Sequence, residues 1–169
     1  MSPDLSRVGS WYHNYIKLVP ETDLLSAFAN KDNNLIEFFS SIPASKRGYR
    51  YAEGKWTIQE MLQHIIDAER VFTYRALRFA RKDSTPLHGF DENLYAANAR
   101  ADTRRWDDLM EEFIHTRKSS EFFFRSLDED QLEAEGISSG SPVYVRALGY
   151  IVIGHGLHHR KVLRERYGL

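Results

Sequence analysis

Residues 56–82 read WTIQEMLQHIIDAERVFTYRALRFARK. Thr57 with Glu60 three positions later is a capping box, and Trp56 and Met61 stand where a hydrophobic staple closes a first helical turn. Ile58, Met61, Ile65, Ala68, Phe72 and Phe79 then recur at helical spacing, which predicts an amphipathic helix from Thr57 to about Lys82. His64 interrupts that stripe, flanked on the core side by Met61 and Ala68.

Three more helices are predicted around this one. Residues 23–42, DLLSAFANKDNNLIEFFSSI, carry a broken apolar stripe of Leu24, Leu25, Phe28, Leu35 and Phe39, weakened by Asn33 and Asn34 and stopped by Pro43. The third helix starts near Thr103, with Trp106, Leu109, Met110, Phe113, Phe123, Phe124 and Leu127 on its buried face. For the fourth, Ser141 is read as the cap and Pro142 as the first helical residue. Lys and Arg in its last turns favour the macrodipole, and Gly168 ends it. The connection from Asp83 to Thr103 is too long for a tight turn. It is expected to hold one short helix over 92–99 and to cross the end of the bundle, so helices two and three need not be antiparallel neighbours. No stretch alternates long enough to read as a strand. The expected fold is one all-α domain over 1–169, a four-helix bundle.

Composition narrows the function. The 24 acidic and 23 basic residues nearly cancel, which argues against a nucleic-acid binder. No apolar run approaches the ~20 residues of a membrane span, and the first residues lack a signal-peptide core. The expected compartment is therefore the cytoplasm. With no cysteine, thiolate ligands, disulfides and a cysteine nucleophile are excluded.

The C-terminal stretch GYIVIGHGLHHRKVLRERYGL places His155, His158 and His159 in an otherwise apolar helix. His155 and His159, four apart, share a face and can share a metal ion, with His64 as a third ligand if helices two and four pack together. The helix rows fit His158 as well as His159, and periodicity does not choose between them. Buried histidines that are merely hydrogen-bonded are the plainer alternative. A zincin is excluded, because Gly156 stands where HExxH requires Glu. Gly156 costs helix propensity, which close packing or access to a metal would explain. For a general base, Glu69 and Asp91 are candidates, with Asp67 nearby; Glu69 and Arg70 also read as an ordinary surface ion pair. Asn93 and Tyr95 are candidates for orienting a substrate at the bundle end, with local structure as the plainer reading. His13, His88 and His115 read as rim or solvated residues.

GKWTIQEMLQHIIDAER, LHGFDENLY and PVYVRALGYIVIGHGLHHRKVLRERY, in that order, resemble the DinB/YfiT-like superfamily of metalloenzymes over nearly the whole chain. The resemblance implies a four-helix bundle with a long crossover between helices two and three. It implies metal ligation by His64, His155 and His159, which favours His159 over His158. The ion implied is zinc foremost, with nickel, iron or manganese as alternatives. It also implies a homodimer, which the aromatic residues Trp11, Tyr12 and Tyr15, with no evident helix to pack into, would suit. Family members include bacillithiol S-transferases, mycothiol-dependent isomerases and hydrolases. The implied activity is metal-dependent transfer of a low-molecular-weight thiol to a small electrophile, with hydrolysis or a non-catalytic binding role as alternatives. The family name refers to DNA-damage induction, which implies stress-linked expression rather than contact with DNA.

Overall fold

The computed structural model describes residues 1–169, the side chain of Asn33 excepted. Its four long helices are α1 (Leu24–Ser40), α2 (Ile58–Ala80), α3 (Trp106–Arg125) and α4 (Val145–Tyr167). Shorter helices occupy His13–Ile16, Glu92–Asn98 and Glu129–Glu133. Each long helix begins for a local reason or is held by its neighbours. Asp23 caps α1 by accepting from Ser26 N at 2.8 Å. Thr57 and Glu60 form the expected capping box on α2. Acidic Asp107 and Asp108 sit in the first turn of α3, which lacks a side-chain cap. Gly168 closes α4 in the left-handed conformation, φ 69°.

Side-chain pairs give the topology. Phe28 faces Phe124 and Phe39 faces Phe113, each pair of rings 5.6 Å apart, so α1 and α3 are antiparallel. Arg104 donates to Gln63 at the start of α2 and Thr73 meets Ser120 further along, so α2 and α3 run parallel. Tyr167 Oη donates to the Trp56 carbonyl while His64 meets His155, so α2 and α4 are antiparallel. Leu24 packs at Gly149 and Leu35 at Gly156, making α1 and α4 parallel. Going round the bundle the order is α1, α4, α2, α3, and the directions in chain order are up, down, down, up. The parallel step from α2 to α3 is made by the crossover 81–105. Its short helix packs on α2, and its end is fastened where Gln59 Nε2 donates to the carbonyls of Ala101 and Arg104 at 2.5 and 2.8 Å.

Several sequence expectations change here. A two-stranded antiparallel hairpin, β1 (Glu135–Ser138) and β2 (Ser141–Tyr144), precedes α4, although no strand was expected. Ser139 (φ 53°) and Gly140 (φ 74°) form a two-residue turn with both residues left-handed, the geometry that hairpins favour. Ser141 and Pro142 consequently belong to β2 rather than to a helix start. Pro142 pairs opposite Ile137, its carbonyl accepts from Gly9 N at 3.0 Å, and α4 begins three residues later with Tyr144 at the cap. Leu87 of the crossover bridges to this hairpin. The third helix begins at Trp106, the residues at Thr103 forming a 3-10 turn.

The N-terminal aromatics also find a home in their own chain. Tyr12 is fully buried, and His13–Ile16 lies against α4. Contact is close because Gly154 has no side chain: a Cβ there would stand 2.1 Å from the Tyr15 carbonyl oxygen. Only Trp11 of the three stays substantially exposed, at 47%.

Candidate metal centre

His64 projects from the middle of α2, and His155 and His159 project one turn apart from α4. Because α2 and α4 are antiparallel neighbours, the three rings meet. His155 Nε2 lies 3.1 Å from His64 Nε2 and 3.0 Å from His159 Nε2. Among the described residues this is the one group of three metal-capable side chains whose ligand atoms all fall within 4.8 Å of one another. The three residues are 8%, 5% and 9% exposed.

Burial decides their charge. It drives the His64 imidazole down to about 4. His155 and His159 are pushed well below the ordinary histidine value, first by burial and then by neighbouring imidazoles. All three rings are therefore neutral near pH 7. A neutral ring nitrogen carries either one proton or one in-plane lone pair, so His155 Nε2 can make one good hydrogen bond but faces two nitrogens. His159 Nδ1 is buried without a partner. A divalent cation removes the conflict: imidazole nitrogens bind zinc at about 2.0–2.1 Å, and nitrogens about 3 Å apart can share one ion at that distance. The donor set fits the group.

His158 turns away. It is partly exposed, with its ring against Tyr15 at 5.3 Å and outside the trio. Trp56, expected to staple onto Met61, has its ring 4.7 Å from that of His64. Tyr15 and Phe72 pack edge-on to His155 at 5.4 and 5.6 Å. The histidines open into a cavity of about 280 Å³ whose other walls include Trp11, Tyr15, Trp56, Phe72, Phe90, Arg75 and Glu92.

The carboxylates singled out in the sequence lie elsewhere. Glu69, read as an ordinary surface residue, is 2% exposed and sits 3.3 Å from Arg117 of α3, with Asp32 of α1 3.7 Å away on the same guanidinium. Burial raises both carboxyl groups above their usual range, against the pull of Arg117. Asp91 caps the helix Glu92–Asn98 by accepting from Asn93 N and Leu94 N. Asn93 is exposed, and none of these residues lines the cavity; Tyr95 lines a neighbouring cleft. The carboxylate that does line it is Glu92, one residue from the sequence candidate. Gly156 is explained by close packing: a Cβ would meet Arg117 Nη2 at 2.7 Å and Leu35 at 2.9 Å.

The DinB superfamily model matches residues 27–163 of this chain. No curated protein matches it in sequence. Among solved structures, YfiT from Bacillus subtilis, described as a probable metal-dependent hydrolase with an unusual four-helix bundle topology, superposes with a TM-score of 0.72 at 15% identity, covering 99% of this chain and 94% of its own. The mycothiol-dependent maleylpyruvate isomerase superposes with a TM-score of 0.69 at 16% identity, over 82% of this chain and 58% of the isomerase. The DinB-like protein YjoA from Bacillus subtilis gives 0.57 at 21% identity, over 86% and 92%. At these identities the likeness is one of fold.

Proposed function

The chain belongs to the DinB superfamily, and from that premise we propose that it is a metal-dependent enzyme whose ion is held by His64, His155 and His159. The reading rests on one observation above all: three neutral imidazoles converge through Nε2 on one point inside a cavity. Zinc is the first choice of ion, and imidazole donors also suit nickel and iron; manganese is the further alternative. The ion, when bound, supplies positive charge that stabilises an anionic nucleophile.

The reaction we propose is transfer of a low-molecular-weight thiol to a small electrophile. The chain has no cysteine, so the thiol comes from outside. Glu92, the carboxylate on the cavity wall, is assigned as acceptor of its proton; the new sulfur–carbon bond replaces the bond to the electrophile's leaving group, which departs as its anion, as halide does from a haloarene. Tyr15, Trp56, Phe72 and Phe90 exclude water from the reacting groups, and Arg75 and Ser139 supply polar contacts to a substrate. Hydrolysis is the second reading. It is favoured by the description of YfiT, and it would use Glu92 as the base toward water. A thiol-consumption assay with bacillithiol, glutathione and coenzyme A against a haloarene, with and without chelator, tests the first reading. Chelator-sensitive loss of thiol is expected. Chelator-sensitive ester or amide cleavage without thiol turnover would select hydrolysis, and neither activity would leave the ion a structural role.

We place the enzyme in the cytoplasm; no helix is long and apolar enough to cross a membrane. Homodimerisation belongs to the same proposal and rests on the family resemblance, since Tyr12 and Tyr15 are spent inside the chain. A clean monomer in light scattering at high concentration would end it.

A further inference from the structure

Three arginines are buried: Arg75, Arg117 and Arg146. Arg117 lies against Glu69, and Arg146 bridges Glu129 and Glu133. Arg75 has no such partner. Among the described residues no carboxylate oxygen comes within 4.0 Å of it. Arg75 is 2% exposed, and its guanidinium donates to three neutral acceptors instead: Tyr12 Oη at 3.1 Å, the His88 carbonyl at 2.9 Å and Ser139 Oγ at 3.1 Å. These come from the N-terminal segment, the crossover and the hairpin turn, so three separate parts of the chain fix one side-chain head. Arginine stays protonated in proteins. A buried cation held only by neutral dipoles lacks its countercharge.

Arg75 lines the same cavity as the three histidines. Its guanidinium carbon is 5.9 and 6.0 Å from the ring centroids of Phe72 and Phe90, which wall that cavity. The neighbouring negative charge, Glu92, is exposed at the wall.

We infer that Arg75 is the anion-recognition group of this cavity and that its ligand is a small, flat carboxylate, paired with the guanidinium and sandwiched between aromatic walls. The inference rests on the reading of the cavity as a substrate site and names the class of substrate. The planar fork of arginine matches a carboxylate in geometry. The carboxylate can belong to the electrophile or to the thiol.

The test is calorimetric titration of metal-loaded protein with benzoate and with benzamide, which share size and shape and differ in charge. Benzoate is expected to bind at least about tenfold more tightly, as suits a charge-assisted pair. Arg75→Gln should bind the two alike, and Arg75→Lys should keep a reduced preference. Equal binding by the wild type, or an undiminished preference in Arg75→Gln, overturns the inference. Repeating the wild-type titration after chelation separates Arg75 from the ion: a preference that persists supports Arg75, and one that vanishes assigns benzoate to the ion and overturns it. This wild-type pair of titrations decides even if Arg75→Gln does not fold. In turnover, Arg75→Gln raising KM for iodoacetate but not iodoacetamide assigns the carboxylate to the electrophile; raising KM for glutathione with both assigns it to the thiol. Absence of all turnover counts against the transfer reading and leaves the benzoate result standing.

Discussion

Replacing Gly154 by alanine tests how the N-terminal segment is docked beside the histidines. The added Cβ would stand 2.1 Å from the Tyr15 carbonyl oxygen and 2.6 Å from its carbon, both backbone atoms that no rotamer change can move. Relief requires His13–Ile16 to retreat from α4 by about 1 Å, in an interior packed as densely as a crystal. Overpacking of this kind costs about 1–3 kcal/mol, and a backbone clash belongs at the upper end. Alanine returns about 1 kcal/mol of helix propensity. Full release of the segment would forfeit the burial of Tyr12 and Ile16, at about 1.5–3 kcal/mol each, so a partial shift is the cheaper response. The expected net loss is about 1–2 kcal/mol. Urea unfolding followed by tryptophan fluorescence measures it, and Gly48→Ala, where a Cβ meets nothing within 4 Å, serves as a neutral control. Trp11, beside Tyr12 on the same segment, should also become more accessible to quenchers. A Gly154→Ala protein as stable as wild type would refute the close approach.

Glu69→Ala leaves Arg117 buried with Asp32 as its remaining countercharge, and should cost about 1–3 kcal/mol in urea unfolding. Thr57→Ala removes the α2 cap and should cost about 1 kcal/mol in the same assay. Metal-free protein should lose stability as pH falls from about 6.5 toward 4, because unfolded imidazoles take up protons that the buried rings refuse. His64 alone, held at about 4 against an ordinary 6.5, accounts for about 3 kcal/mol of that loss. Stability is full above the unfolded value, and His64→Gln should flatten the profile; an unchanged slope would count against the buried neutral ring.

Local signals were the legible part of this fold. The capping box at Thr57, the short helix in the crossover and the stop at Gly168 could be read because each acts within a few residues. The hairpin before α4 could not be read from alternation, since its strands have only four residues each. Its signal was the Ser139-Gly140 pair, and Pro142 misled because its fixed φ suits an edge strand as well as a first helical turn. At the site, the spacing of His155 and His159 gave a shared face, but bringing His64 to them depends on α2 and α4 being neighbours, a fact of topology that only the family resemblance implied. Arg75 gave no signal, because an arginine in a helix reads as solvated and its partners Tyr12 and Ser139 are 63 and 64 residues away. Glu92 was missed by one position: an Asp before a helix, as Asp91 is, tends to be used up in capping it.

The central claim is that His64, His155 and His159 hold one divalent ion and His158 does not. Elemental analysis of purified wild type and single alanine variants measures this directly. One equivalent of metal per chain in wild type and in His158→Ala, with loss in His64→Ala and His155→Ala, is the predicted result. Metal retained at the wild-type level by both His64→Ala and His155→Ala would contradict it.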